Sequence, residues 1–233
     1  MIDVLNHLAL GTLEVTGRLV DASNATLYGN CSYEDRTISV IYKPVAGERP
    51  LWDFPDGNLA QREYAAYFVS ELGKFHVVPP TVLREGPFGE GMVQQWIDID
   101  ESIDLAQFYQ SNNRELRKMA LFDAVVNNTD RKIGHILPVT EELVYGCDHG
   151  VTFHEEDKLR TVLWQWADKE LVEEEVEQLV SLEESIRNSS EKIQSLITKP
   201  EFLALQERIN RLLSTTRFPT PSQEWPAVPR PPF

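Results

Sequence analysis

Cysteine is scarce in this chain: Cys31 and Cys147 are the two present, far apart and in no metal-like spacing. A disulfide-stapled secreted scaffold or a zinc framework needs more, so a reduced cytosolic protein is the simplest reading, with a Cys31–Cys147 pairing left open. Basic residues are scarce too, 22 Lys and Arg against 37 Asp and Glu, for a formal charge of −15. That balance argues against nucleic acid, whose phosphates demand basic patches, and against stable docking on anionic membrane. No apolar run approaches the length of a bilayer span. The opening MIDVLNHLALGTLEV carries an early Asp3 and no basic leader, unlike a secretory signal.

The 233 residues, 42% hydrophobic and 25% charged, suffice for one large globular domain or a two-lobed one. The first half alternates like a sheet. Leu13 to Leu19, Thr26 to Tyr33 and the β-branched run TISVIY at Thr37 to Tyr42 read as three strands of an antiparallel meander, with a turn at Asp21 to Ala25. The meander delivers Lys43 at the end of a buried strand. After a Pro/Gly-rich loop, a helix is expected from Leu59 to Leu72, with Asn58 as N-cap, Gly73 as its stop and Glu63 on its first turns. Val77 to Arg84 and Gly91 to Ile97 read as two further strands around the turn GPFGEG.

From Ser102 helical spacing takes over. Leu116, Ala120, Phe122 and Val126 mark one helix; Val172, Val176, Leu179 and Val180 mark a second, whose run Glu173 to Glu177 is most simply a solvated face. A last helix starts with a capping box at Thr198 to Glu201 and buries Phe202, Leu205, Ile209, Leu212 and Leu213. The end, FPTPSQEWPAVPRPPF, is proline-rich; packing on the body and docking into a protein partner are both open.

Two short stretches interrupt this helical half. In FDAVVNNTDRKIGHIL, Phe122 to Leu137, polar residues crowd between apolar elements, where an unpaired polar group costs about 1–3 kcal/mol. In VYGCDHGVTF, Val144 to Phe153, Asp148 precedes Gly150. Each aspartate alone is readily a turn residue, and Asp130 can pair with Arg131. Brought together, two carboxylates hold a hard cation such as magnesium, which bridges to phosphate. With Lys43 for nucleotide phosphates, Glu63 to hold that lysine, Asp148 for metal and Asp130 for the nucleophile, the order fits phosphoryl transfer in a cleft between a β-rich and a helical lobe.

Five stretches make the likeness specific: IYKP at Ile41 to Pro44, LAQREYAAY at Leu59 to Tyr67, VPPTVLREG at Val78 to Gly86, NNTDRKIGH at Asn127 to His135 and CDHGVTF at Cys147 to Phe153. The sequence resembles the phosphatidylinositol 3-/4-kinase-like superfamily, in particular small, largely actinobacterial proteins related to type II phosphatidylinositol 4-kinases, over roughly Leu10 to Trp166. The resemblance implies an α+β, two-lobed protein-kinase-like fold: an N-lobe over 1–97, a helical C-lobe over 98–217 and a tail over 218–233. It implies ATP with Mg2+ or Mn2+ as cofactors and an unidentified hydroxyl acceptor, protein or small molecule before lipid. Lys43 would meet the phosphates, braced by Glu63; Gln94, Gln95, Trp96 and Ile97 would form the adenine hinge; Asp130 would orient the hydroxyl and Asp148 would bind metal. Ser23 and Asn24 stand where the phosphate-covering loop belongs, without its glycines.

His135 stands where the relatives carry a metal-binding asparagine. A neutral imidazole serves manganese better than magnesium, so a shift toward manganese is expected. The same departure motivates two alternatives, a nucleotide-binding pseudokinase and an adenylyl transferase on the same fold.

Overall fold

A computed structural model describes residues 4–19 and 24–233. The N-lobe opens with a short helix α1, Val4–Leu10, and continues as β1, Thr12–Arg18, β2, Leu27–Tyr33, and β3, Arg36–Pro44. Helix α2, Leu59–Leu72, follows, then the hairpin of β4, Thr81–Gly86, and β5, Gly89–Gln95. The five strands form one sheet in the order β1-β2-β3-β5-β4, antiparallel at every pairing. Alternation along β3 turns Val40 and Tyr42 into a small core with Leu8, Leu13, Cys31 and Val93. Lys43 therefore turns to the opposite face, toward α2. Gly91 makes that pairing close: a Cβ there would lie 2.5 Å from the Lys43 carbonyl oxygen.

The expected strand at Val77 begins four residues late, at Thr81. Pro79 and Pro80 explain the delay, since neither can donate to a ladder. The other hairpin strand also stops early, at Gln95, leaving Trp96 and Ile97 as connection. Asn58 caps α2 through its side-chain oxygen and Gly73 ends it.

The C-lobe contains α3, Leu105–Phe108, α4, Arg114–Val126, the hairpin of β6, Ile136–Thr140, and β7, Leu143–Gly146, then α5, Glu173–Asn188, α6, Ser190–Gln194, and α7, Lys199–Thr215. Its core gathers Leu116, Phe122, Leu179, Leu205 and Ile209 and reaches Val69 of α2, so that helix is held by both lobes. On α5 the buried stripe is Leu179, Leu182 and Ile186, at i, i+3 and i+7; Val172 and Val180, expected inside, are exposed. Nor is the acidic run wholly solvated: Glu175 accepts two bonds from Arg117 at 2.7 Å each and caps the Val172 N–H. α7 carries the expected capping box.

The tail lies on the C-lobe. The Ala227 carbonyl accepts from the Thr161 N–H at 3.1 Å and from Trp164 Nε1 at 2.8 Å, and the Pro232 carbonyl accepts from the Ile133 N–H at 2.8 Å. Cys31 and Cys147 are unpaired. Among the described residues, no helix is long and apolar enough to cross a membrane.

Candidate active site

Three separate elements converge between the lobes. Lys43, next to last in β3, places its Nζ 2.5 Å from Glu63 Oε1 on α2 and 2.8 Å from Asp148 Oδ1 in the loop after β7. The second Glu63 oxygen accepts from the His149 N–H at 2.9 Å. Burial would push the lysine pKa down, but Asp148 and Glu63 override it and hold the ammonium well above its ordinary value. The same ammonium holds the Asp148 carboxyl well below the usual carboxylate range. Burial pushes the Glu63 carboxyl up against the opposing pull of Lys43, and the short contact marks it as the charged partner.

Asp130 faces the same space. It lines, with Lys43, Glu63 and Asp148, a cavity of about 600 Å³ that Trp52, Lys158, Arg160 and Trp225 also line. Lys132 lies 3.4 Å and Arg160 3.9 Å from its carboxylate; Arg131, the neighbour it could have paired with, bonds to Asp123 instead. Burial raises the Asp130 pKa, and the negative charge of Asp148 adds to that rise against Lys132 and Arg160. Two carboxylates that repel one another across a cleft are what a divalent cation relieves.

His135 Nε2 lies 3.6 Å from Asp148 Oδ2. Burial, with nearby Arg131, Lys132 and Lys43, lowers its pKa to about 4 despite Asp148, so the imidazole is neutral and keeps a lone pair near pH 7. Its Nδ1 accepts from the Lys132 N–H at 3.5 Å, so His135 offers Nε2 as a nitrogen ligand beside an Asp148 oxygen only by giving up that long bond and shifting its proton to Nδ1. Among the described residues no group of three His, Cys, Asp or Glu side chains gathers to hold a metal by itself. The pair fits a cation that takes its other ligands from phosphate and water.

Under the site runs a buried ion pair. Arg131 and Asp123 are both fully buried, joined at 2.9 Å, and Arg131 also donates to the Cys147 carbonyl at 3.1 Å and the His135 carbonyl at 3.4 Å. One guanidinium therefore ties α4 to both aspartate loops. Asn128 completes the frame, donating to Asp123 at 3.0 Å and accepting from the Asp130 N–H at 3.0 Å. Asn127, the residue that ends α4, is in the left-handed conformation that asparagine tolerates, and it turns the chain into this loop.

The hinge residues are placed differently. Gln94, Gln95, Trp96 and Ile97 do not line the cavity. The Gln94 side chain is buried against Thr81; the Gln95 N–H donates to the Pro80 carbonyl and the Trp96 N–H to the Ser39 carbonyl. Those two N–H groups are spent inside the lobe, because β5 pairs on both sides until its last residue. Asn24 lines the cavity and accepts from the Arg49 N–H at 2.9 Å; Ser23 lies outside the described residues. Arg160, Lys158 and Trp225 carry no motif in the sequence. Asp123 had a weak one, a charge amid the apolar FDAVV.

Protein Rv2133c of Mycobacterium tuberculosis (strain ATCC 25618 / H37Rv) is 37% identical to this chain over 97% of this chain and 94% of its own length. No protein-family model matches the sequence. Among solved structures, the Golgi casein kinase with Mn/ADP bound superposes with a TM-score of 0.59 at 14% identity, over 91% of this chain and 74% of that one. The hydra Fam20 with sugar gives 0.50 at 12% over 91% and 87%, and the Helicobacter pylori proinflammatory kinase CtkA gives 0.50 at 9% over 91% and 94%. At such identities the likeness to solved structures establishes a kinase-like fold and nothing finer.

Proposed function

Because the chain belongs to the family of the Mycobacterium tuberculosis protein Rv2133c and carries a kinase-like fold, we propose that it is an ATP- and divalent-metal-dependent phosphotransferase acting on a hydroxyl group. One observation carries this reading: Lys43, paired with Glu63 and Asp148, shares a cleft with Asp130. In the phosphatidylinositol 3-/4-kinase-like scheme these are the phosphate lysine, its brace, the metal aspartate and the residue that orients the acceptor. Lys43 contacts the nucleotide phosphates, and in doing so exchanges its bond to Asp148 for bonds to phosphate. Asp148 and His135 would hold Mg2+ or Mn2+, which neutralises charge on the transferring phosphoryl group. Asp130 accepts the acceptor's hydroxyl proton as its oxygen bonds to the γ-phosphorus, while the bond to the β-phosphate oxygen breaks and ADP leaves. An acidic chain favours a protein or small-molecule acceptor over a lipid.

The test measures nucleotide affinity and ADP release with Mg2+ or Mn2+, with intact-protein mass, for wild type and Asp130→Ala. Turnover in the wild type, reduced by at least about 10²-fold in Asp130→Ala with unchanged nucleotide affinity, is expected. Failure to bind nucleotide with either metal would refute the reading. The neutral His135 beside Asp148 favours one second reading, a pseudokinase, which predicts nucleotide binding without ADP release. A mass increment of an adenylyl group would reassign the chemistry to adenylyl transfer.

A further inference from the structure

A second cavity, of about 520 Å³, opens on the C-lobe behind the catalytic cleft, between the end of α4, the start of the tail and one face of α7. Three arginines line it: Arg208, Arg211 and Arg217. Arg208 is 3% exposed. Its Nε donates to the Val125 carbonyl and its Nη1 to the His154 carbonyl, both at 3.1 Å, while its buried Nη2 has no partner among the described residues. Its two bonds go to carbonyl oxygens rather than to a carboxylate, and burial pulls the guanidinium pKa down to about 10 against the opposing pull of Asp157, Glu201 and Glu207. The other two arginines lean on exposed carboxylates: Arg211 on Asp157 at 2.7 Å, Arg217 on Asp168 at 3.6 Å and on Glu170 at 2.8 Å. The lining itself holds three arginines against two carboxylates, Asp157 and Asp168, with Glu170 outside it, on a chain whose net charge is −15; the buried Arg208 is the one of the three with no ion pair to a carboxylate among the described residues.

We propose that this cavity is a binding site for a phosphate-class oxyanion, seated on Arg208 with Arg211 and Arg217. A guanidinium presents paired N–H donors in a geometry that matches phosphate oxygens, and a buried one with a free Nη2 supplies a strong charge-assisted bond. The site also bears on the catalytic cleft. The His154 carbonyl that accepts from Arg208 accepts from Asn127 as well, at 3.0 Å, and Asn127 Oδ1 accepts from the Lys158 N–H at 3.0 Å. An anion held there braces the segment whose Lys158 and Arg160 line the cleft.

The phosphate has two sources, free in solution or carried by Thr215, Thr220 or Ser222, which line the same cavity. The experiment separates them by intact mass before and after phosphatase treatment. Unmodified full-length protein is then titrated with inorganic phosphate against sodium chloride of equal ionic strength, following Tm and binding heat. A phosphate-specific rise of about 3 °C or more at ten times the dissociation constant is expected. In Arg211→Ala/Arg217→Ala, both exposed positions, affinity falls by at least about tenfold. If the untreated protein carries a phosphoryl group on residues 215–222 and binds free phosphate only after its removal, the chain's own phosphate fills the site. The proposal is overturned if phosphate acts no differently from chloride, if the double variant binds as tightly as wild type, or if Lys43→Met abolishes the effect and so moves the anion to the catalytic cleft.

Discussion

Asp123→Asn changes one atom and leaves Arg131 as an unpaired cation in a site from which water is excluded. Both side chains are fully buried, and Asp123 takes the guanidinium on both oxygens, at 2.9 Å from Nη2 and 3.0 Å from Nε. Removing one partner of such a pair costs about 3–5 kcal/mol, mostly the penalty of the charge left behind. For a chain of this size that lowers Tm by about 6–20 °C. Arg114 and Glu174 supply the control: they pair at 2.8 Å with side chains 84% and 78% exposed, so Glu174→Gln should cost under about 0.5 kcal/mol. Thermal unfolding followed by circular dichroism measures both. A fall below about 2 °C for Asp123→Asn would refute the argument that this pair frames the two aspartate loops.

Lys43→Met removes the proposed donor to the phosphates and should lower ADP release by roughly 10²-fold or more; a change within threefold would remove Lys43 from the proposed chemistry. His135 titrates near 4 in the fold against 6.5 unfolded, so its contribution is complete above about pH 6.5 and is lost as pH falls through 4. His135 accounts for at most about 3 kcal/mol of the wild-type loss over that window, to which the buried His149, its pKa also lowered by burial, adds its own share, so His135→Asn should lose distinctly less than wild type by urea unfolding at each pH. His135→Asn should also move the ratio of magnesium to manganese activity toward magnesium, and an unchanged ratio would dissociate His135 from the metal. Asn58→Ala should cost about 1 kcal/mol by loss of the cap on α2, read as a lower urea midpoint at constant slope.

How much of this was legible in the chain follows from the range of the interactions. The limits of α2, its Asn58 cap, the Thr198 capping box and the strand carrying Lys43 are decided by residues within a few positions of one another, and local sequence determined them. Motif order suggested a shared cleft for Lys43, Glu63, Asp130 and Asp148, and it is the tertiary fold that sets these four side chains around one cavity. The rest depends on residues far apart. Only the tertiary structure turned Arg131 to Asp123 rather than to its neighbour Asp130, spent the Gln95 and Trp96 N–H groups on Pro80 and Ser39, set Trp225 in the lining of the cleft and left Arg208 Nη2 without a partner among the described residues. Each outcome is a choice of partner made by packing. A side chain's donors have no preferred partner until the core excludes water from around them.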